Sequence, residues 1–127
     1  MPYYTSSGHQ VLLGAIKGAD YNVTTDQAIP IPYAKYRISK ITVTNASVSM
    51  TTAAGGVYSA VSKGGSTIVA AAQIYSALTS SEKYVDLTLA AAATTDTFTA
   101  ATIYLSLTTG QGAAATADCY VFGDVLP

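Results

Sequence analysis

The chain has 127 residues, half of them hydrophobic and only 10% charged, with a formal net charge of −1. That length suits one domain, able to bury roughly two thirds of its unfolded surface without help from metal or disulfide. Six basic residues against seven acidic ones do not make the basic footprint of a nucleic-acid binder, so that class is excluded. Charged residues usually form about a quarter of a domain. Here Thr, Ser, Ala and Gly replace them, which fits either a soluble sandwich with a Thr-rich exterior or a protein packed against neighbours.

In chain order, residues 1–8 carry Tyr3 and Tyr4 among Thr, Ser and Gly and read as an extended N-terminal arm ahead of one domain, residues 9–127. Two adjacent tyrosines in a short arm cannot both bury against their own core, so Tyr3 and Tyr4 are the candidate interface residues. The start MPYYTSSGHQ has neither a basic nor an apolar region of the signal-peptide kind, and no window is long and apolar enough to span a bilayer. VLLGAI, from Val11, reads as a first strand with both faces covered, and Gly18 and Asp20 as the loop that follows. Pro30 and Pro32 flank Ile31 and each removes a ladder donor, which demands an edge strand or connection.

The stretch from Tyr36 to Ala72 reads as the middle of an antiparallel sheet. Ile41 and Val43 share one parity, Tyr36 and Ile38 the other, and a β-bulge near Ser39 or Lys40 accounts for the slip. Val57–Val61 and Thr67–Ala71 form a hairpin about Lys63-Gly64-Gly65-Ser66, whose glycines can supply positive φ. A short helical turn fits Ile74 to Leu78. Val85, Leu87 and Leu89 alternate with polar partners as a half-buried strand. The alanine tract from Ala90 is interrupted by β-branched Thr and by Asp96 and is not expected to be helix. Ile103, Leu105 and Leu107 mark another strand, and Ala117 to Phe122 the last. About seven or eight short strands with turn chemistry between them and at most one helical turn predict an all-β, single-domain antiparallel β-sandwich, of jelly-roll or immunoglobulin-like topology.

Chemistry-bearing residues are few. Gly110-Gln-Gly112-Ala-Ala-Ala115 mimics a dinucleotide fingerprint, but that site needs a helix to start there, and the residues that follow read as strand. Cys119 is the only cysteine and His9 the only histidine. Cys119 shares the parity of Val121 and reads as a small buried hydrophobe. Asp86 and Asp118 lie in strands on the outer face, where a solvated carboxylate is the default. Neither zinc spacing nor an EF-hand loop is present, and loop aspartates such as Asp20 and Asp26 are the sole candidates for a surface cation. The residues therefore point to no enzyme, no cofactor and no metal site.

The runs AIPIPYAKYRISKITVTNASVSMTTAAGGVYSAVSKGG, IYSALTSSEKYVDLTL and ATIYLSLTTGQGAAATADCYVFG resemble small proteins encoded among the structural genes of tailed bacteriophages. The resemblance implies a capsid decoration, cement or head-fibre protein, a β-sandwich acting as a homotrimer on the virion, with the major capsid protein or another virion protein as partner. It implies synthesis in the host cytoplasm, and neither a nucleic acid nor a membrane as partner. A carbohydrate-binding or receptor-binding sandwich of fibre or adhesin type, using tyrosines as a platform, is the alternative.

Overall fold

A computed structural model describes residues 10–127 of the chain. The expected arm, with Tyr3 and Tyr4, and His9 fall outside the described residues. Eight strands follow one another: β1 (Val11–Asp20), β2 (Gln27–Pro30), β3 (Tyr36–Thr44), β4 (Ala54–Ala60), β5 (Gly64–Val69), β6 (Tyr84–Asp86), β7 (Thr102–Thr109) and β8 (Thr116–Val125). They form two antiparallel four-stranded sheets, ordered β1-β8-β3-β6 and β2-β7-β4-β5, packed face to face as a β-sandwich.

Every connection except β4–β5 changes sheet, and each strand of the first half pairs with its mirror image in the second: β1 with β8, β2 with β7, β3 with β6, β4 with β5. The chain is thus one long antiparallel ribbon, closed by the β4–β5 hairpin and rolled so that β8 also meets β3 and β7 meets β4. This is the jelly roll, not the immunoglobulin arrangement. Because β1 and β8 are neighbours, Val11 lies opposite Gly123, and the described chain enters and leaves side by side.

The core follows from alternation. Ile38, Ile41, Val43, Ala117, Cys119 and Val121 of the first sheet face Ile29, Val57, Ile68, Ile103, Leu105 and Leu107 of the second, all buried. Each aliphatic side chain taken fully from water contributes about 1.5–3 kcal/mol. Cys119 lies in this core, and burial pushes its thiol up to about 12. The expected slip in β3 is present: the register with β8 shifts between Ile38 and Lys40, so Ser39 is the extra residue. Arg37 and Lys40, which strict alternation would put on opposite faces, therefore both point outward, opposite Asp124 and Phe122. β2 lies at a sheet edge and ends at Pro30, as its missing donor requires.

Several expectations are corrected. β1 does not open into a loop at Gly18; a register shift between Ile16 and Ala19 absorbs Gly18 at φ 67, and pairing resumes at Ala19 and Asp20. Nor are both faces of VLLGAI covered: Leu13 is buried, whereas Leu12 is 48% exposed. The hairpin turn sits earlier than expected. The amide of Gly64 donates to the Val61 carbonyl at 3.1 Å, and the central residues Ser62 and Lys63, not two glycines, have positive φ, with Gly65 left-handed inside β5. Ile74 pairs with Ala54 as an isolated bridge, leaving one turn in which Leu78 N–H donates to the Tyr75 carbonyl. The only helical piece among the described residues is a 3-10 turn, Ala91–Thr94, in the tract expected to have none. It is held by Ala93, which is buried, and by the Thr94 hydroxyl, which donates to the Ala91 carbonyl at 2.6 Å.

The segment after β6 crosses between layers. Leu87 N–H donates to the Ile41 carbonyl in the first sheet, Leu89 pairs with Val69 in the second, and Ala90 N–H donates to the Ile68 carbonyl. Phe98 then returns to pair with Tyr36, their rings stacked at 6.0 Å. This strap closes the β5/β6 edge. Gly14 of β1 lies against Pro30 and Ile31 at the opposite edge, where an added Cβ would collide with them.

Tyr21 and Tyr75 cross edge-to-face at 5.0 Å in the interior. The Tyr75 hydroxyl donates to the Gly55 carbonyl at 3.0 Å, whereas the Tyr21 hydroxyl, beside it, reaches no partner. Burial raises the pKa of both phenols, so each stays neutral. Tyr75→Phe deprives Gly55 of its donor and should cost about 1–2 kcal/mol, while Tyr21→Phe should change stability by less than about 0.5 kcal/mol or raise it. Urea unfolding of the two variants side by side checks the asymmetry.

Candidate functional site

Two polar or aromatic constellations stand out among the described residues. The first covers the outer face of the first sheet, where alternation turns one residue in two away from the core. The ladder places Leu12, Phe122 and Lys40 in one cross-strand row and Ala15, Tyr120, Thr42 and Asp86 in the next. The Lys40 ammonium lies 5.3 Å from the Phe122 ring centre, and Lys17 lies 5.9 Å from that of Tyr120. Such cation–π contacts contribute roughly 0.5–1 kcal/mol when exposed. Tyr84, 65% exposed, continues the aromatic surface at the β6 edge.

The carboxylates of this face are already engaged. Arg37 pairs with Asp124, and the Thr42 hydroxyl donates to Asp86 at 2.6 Å. Asp118 accepts from the Gly18 amide at 2.7 Å and from the Asn45 side chain at 3.1 Å. Asp86 and Asp118 are thus on the outer face, as their parity implied, and serve as hydrogen-bond acceptors that brace β1, β3 and the β3–β4 loop. The result is an aliphatic and aromatic centre flanked by one ion pair and by hydrogen-bonded carboxylates. Sequence reading found the strands and the Ser39 bulge but not this face, because a second bulge, at Leu13 in β1, also decides which residues share it.

The second constellation lies on the outer face of the second sheet. Asp26 Oδ2 accepts from the Ser62 amide at 2.7 Å, and Lys63 Nζ donates to Ser106 Oγ at 2.9 Å and to the Thr24 carbonyl at 3.4 Å. A serine touching a lysine amine can act as a nucleophile, but Ser106 has no exposed surface. The arrangement instead locks the hairpin: a non-glycine residue at positive φ costs about 1 kcal/mol or more, and needs such over-determination. Alternation had suggested that Ser106 faces outward, and it does; what covers it, the folded-back Lys63, was not readable.

Among the described residues no three His, Cys, Asp or Glu side chains come together as metal ligands. Asp20 is occupied by the Asn22 amide at 2.8 Å, and Asp26 by Ser62. Gly110 to Ala115 is the β7–β8 connection, in which Gln111 Oε1 accepts from the Thr52 and Ala53 amides; no helix starts there. Nor is any helix among the described residues long and apolar enough to cross a membrane. Comparison with known proteins finds no matching family model, curated protein or solved structure.

The Ser62 amide, then the Ser106 hydroxyl and the Lys63 charge, hold the Asp26 pKa below its ordinary value. A carboxyl depressed on folding contributes stability above its unfolded value near about 4, and that contribution vanishes as pH falls through the lower folded value. Asp26→Asn should therefore destabilise the protein at pH 7 and flatten its loss of stability between about pH 4 and pH 2. Denaturation midpoints of both proteins across that range measure the difference; parallel acid limbs would exclude Asp26 as a contributor.

Proposed function

We propose that this protein is a non-enzymatic structural component of a bacteriophage virion, a decoration or cement protein that binds the capsid surface through the outer face of its first sheet. The observation that carries the reading is that face: Leu12, Tyr120 and Phe122 at its centre, two lysines over the rings, and carboxylates already matched within the molecule. The carboxylates of that face already have partners within the molecule, so docking leaves none of them to be desolvated unpaired. Many copies bound to one lattice would add modest contacts into high avidity. The jelly roll itself supports a structural role only by analogy, since the same fold carries unrelated functions.

A glycan- or receptor-binding role of the same face is the second reading, favoured by the exposed ring of Tyr84. The two part experimentally. Phe122→Ala and Tyr120→Ala should lower co-sedimentation with heads stripped of the protein at least tenfold while the circular dichroism stays that of a β protein. Unchanged co-sedimentation rules out this attachment face, and glycan-array binding lost on Tyr84→Ala establishes the second reading in its place.

A further inference from the structure

The end of the β4–β5 hairpin, residues 59–67, is fastened differently from the rest of the roll. Tyr58 and Ile68 on either side of it are buried, whereas none of residues 59–67 is. Its ladder is irregular as well: Tyr58 lies opposite Thr67 and Ala60 opposite Gly64, so β5 carries one extra residue there, beside the left-handed Gly65. On its other side β4 pairs with β7 only as far as Tyr58. Ser62 and Lys63 hold positive φ, 58° and 56°, a conformation that L side chains resist. A segment that buries no apolar side chain and keeps a resisted backbone belongs to the part of a protein that opens locally.

What ties this tip to the body is polar. Asp26 in the β1–β2 loop accepts from the Ser62 amide at 2.7 Å, and the Lys63 ammonium donates to Ser106 Oγ at 2.9 Å and to the Thr24 carbonyl at 3.4 Å. The Gly64 and Ser66 amides bond within the hairpin itself, to the Val61 carbonyl and to Ser59 Oγ. We propose that the tip is an acid-released latch: protonation of Asp26 weakens its hold on the Ser62 amide, residues 59–67 open as a local unit and uncover Ser106, and the sheets stay folded with Val57 still opposite Val69. The charges around Asp26 are few. Lys63 is the charged side chain that the turn brings to it, Ser106 of β7 is neutral, and Asp20, on the same side of the loop, is turned to the Asn22 amide. The Ser62 amide and the Lys63 charge hold the Asp26 carboxyl below its ordinary value. A carboxyl depressed in this way keeps its bond above the unfolded value near about 4 and loses it as pH falls through the lower folded one, so the latch is closed at neutral pH.

The latch does not depend on what the first sheet binds, and its test reads the tip directly. Backbone amide relaxation should give residues 59–67 of the wild type an order parameter of about 0.85 at pH 7, equal to that of β7, and a fall below about 0.6 in step with the titration of the Asp26 carboxyl while β7 stays rigid. Asp26→Asn should show the loosened tip already at pH 7. Lys63→Met, which removes the cation beside Asp26, should move the release to higher pH. A tip already mobile in the wild type at pH 7, a tip that keeps its order in Asp26→Asn, or a tip that loosens only together with β7 would overturn the proposal.

Discussion

The β4–β5 hairpin is the constraint on which the fold depends. Among the described strands it is the only place where consecutive strands stay in one sheet; the other ladders join segments far apart in the chain. Its turn places Ser62 and Lys63 at positive φ, a conformation that favours the right-handed strand twist but that side chains resist. The opposing cost is met by residues from elsewhere: Asp26 from the β1–β2 loop takes the Ser62 amide, and Ser106 from β7 takes the Lys63 ammonium. The turn is thus braced by β7 and the β1–β2 loop, which ties a local contact to segments about forty residues away.

Glycines let the ribbon roll tightly beside this turn. A Cβ on Gly56 would collide with the backbone of Val69 and Ala70, and one on Gly55 with Leu107 and Thr108. β4 is therefore squeezed between β7 and the chain leaving β5, and Tyr75 uses that closeness to reach the Gly55 carbonyl.

Much of the fold is legible in the sequence because it follows from alternation and donor chemistry. Ile103, Leu105 and Leu107, the bulge in β3 and the proline-ended edge strand β2 each state their position locally. Features set by distant partners are not legible. Val85, Leu87 and Leu89 keep one parity, yet the strand breaks after Asp86 because Leu89 finds its partner, Val69, in the other sheet. Ile74 to Leu78 has helical spacing, but pairing with Ala54 and burial of Tyr75 overrule it. The outer face of the first sheet was legible only in part: the bulge in β3 brings Arg37 and Lys40 to one face, but the extra residue Leu13 in β1, which brings Leu12 opposite Phe122, is set by pairing with β8.

The adjacency of β1 and β8 reaches further than the sheet they share. Polypeptide grafted ahead of Val11 or behind Val125 would emerge from a single patch, leaving the hairpin end of the roll unobstructed. Joining these two points with a short linker and cutting the ring at an exposed loop gives a permuted molecule with the same layers, since few contacts oppose such a rearrangement at loop tips. The roll is in that sense a closed circuit, and the place where its chain is interrupted is a matter of biosynthesis, not of architecture.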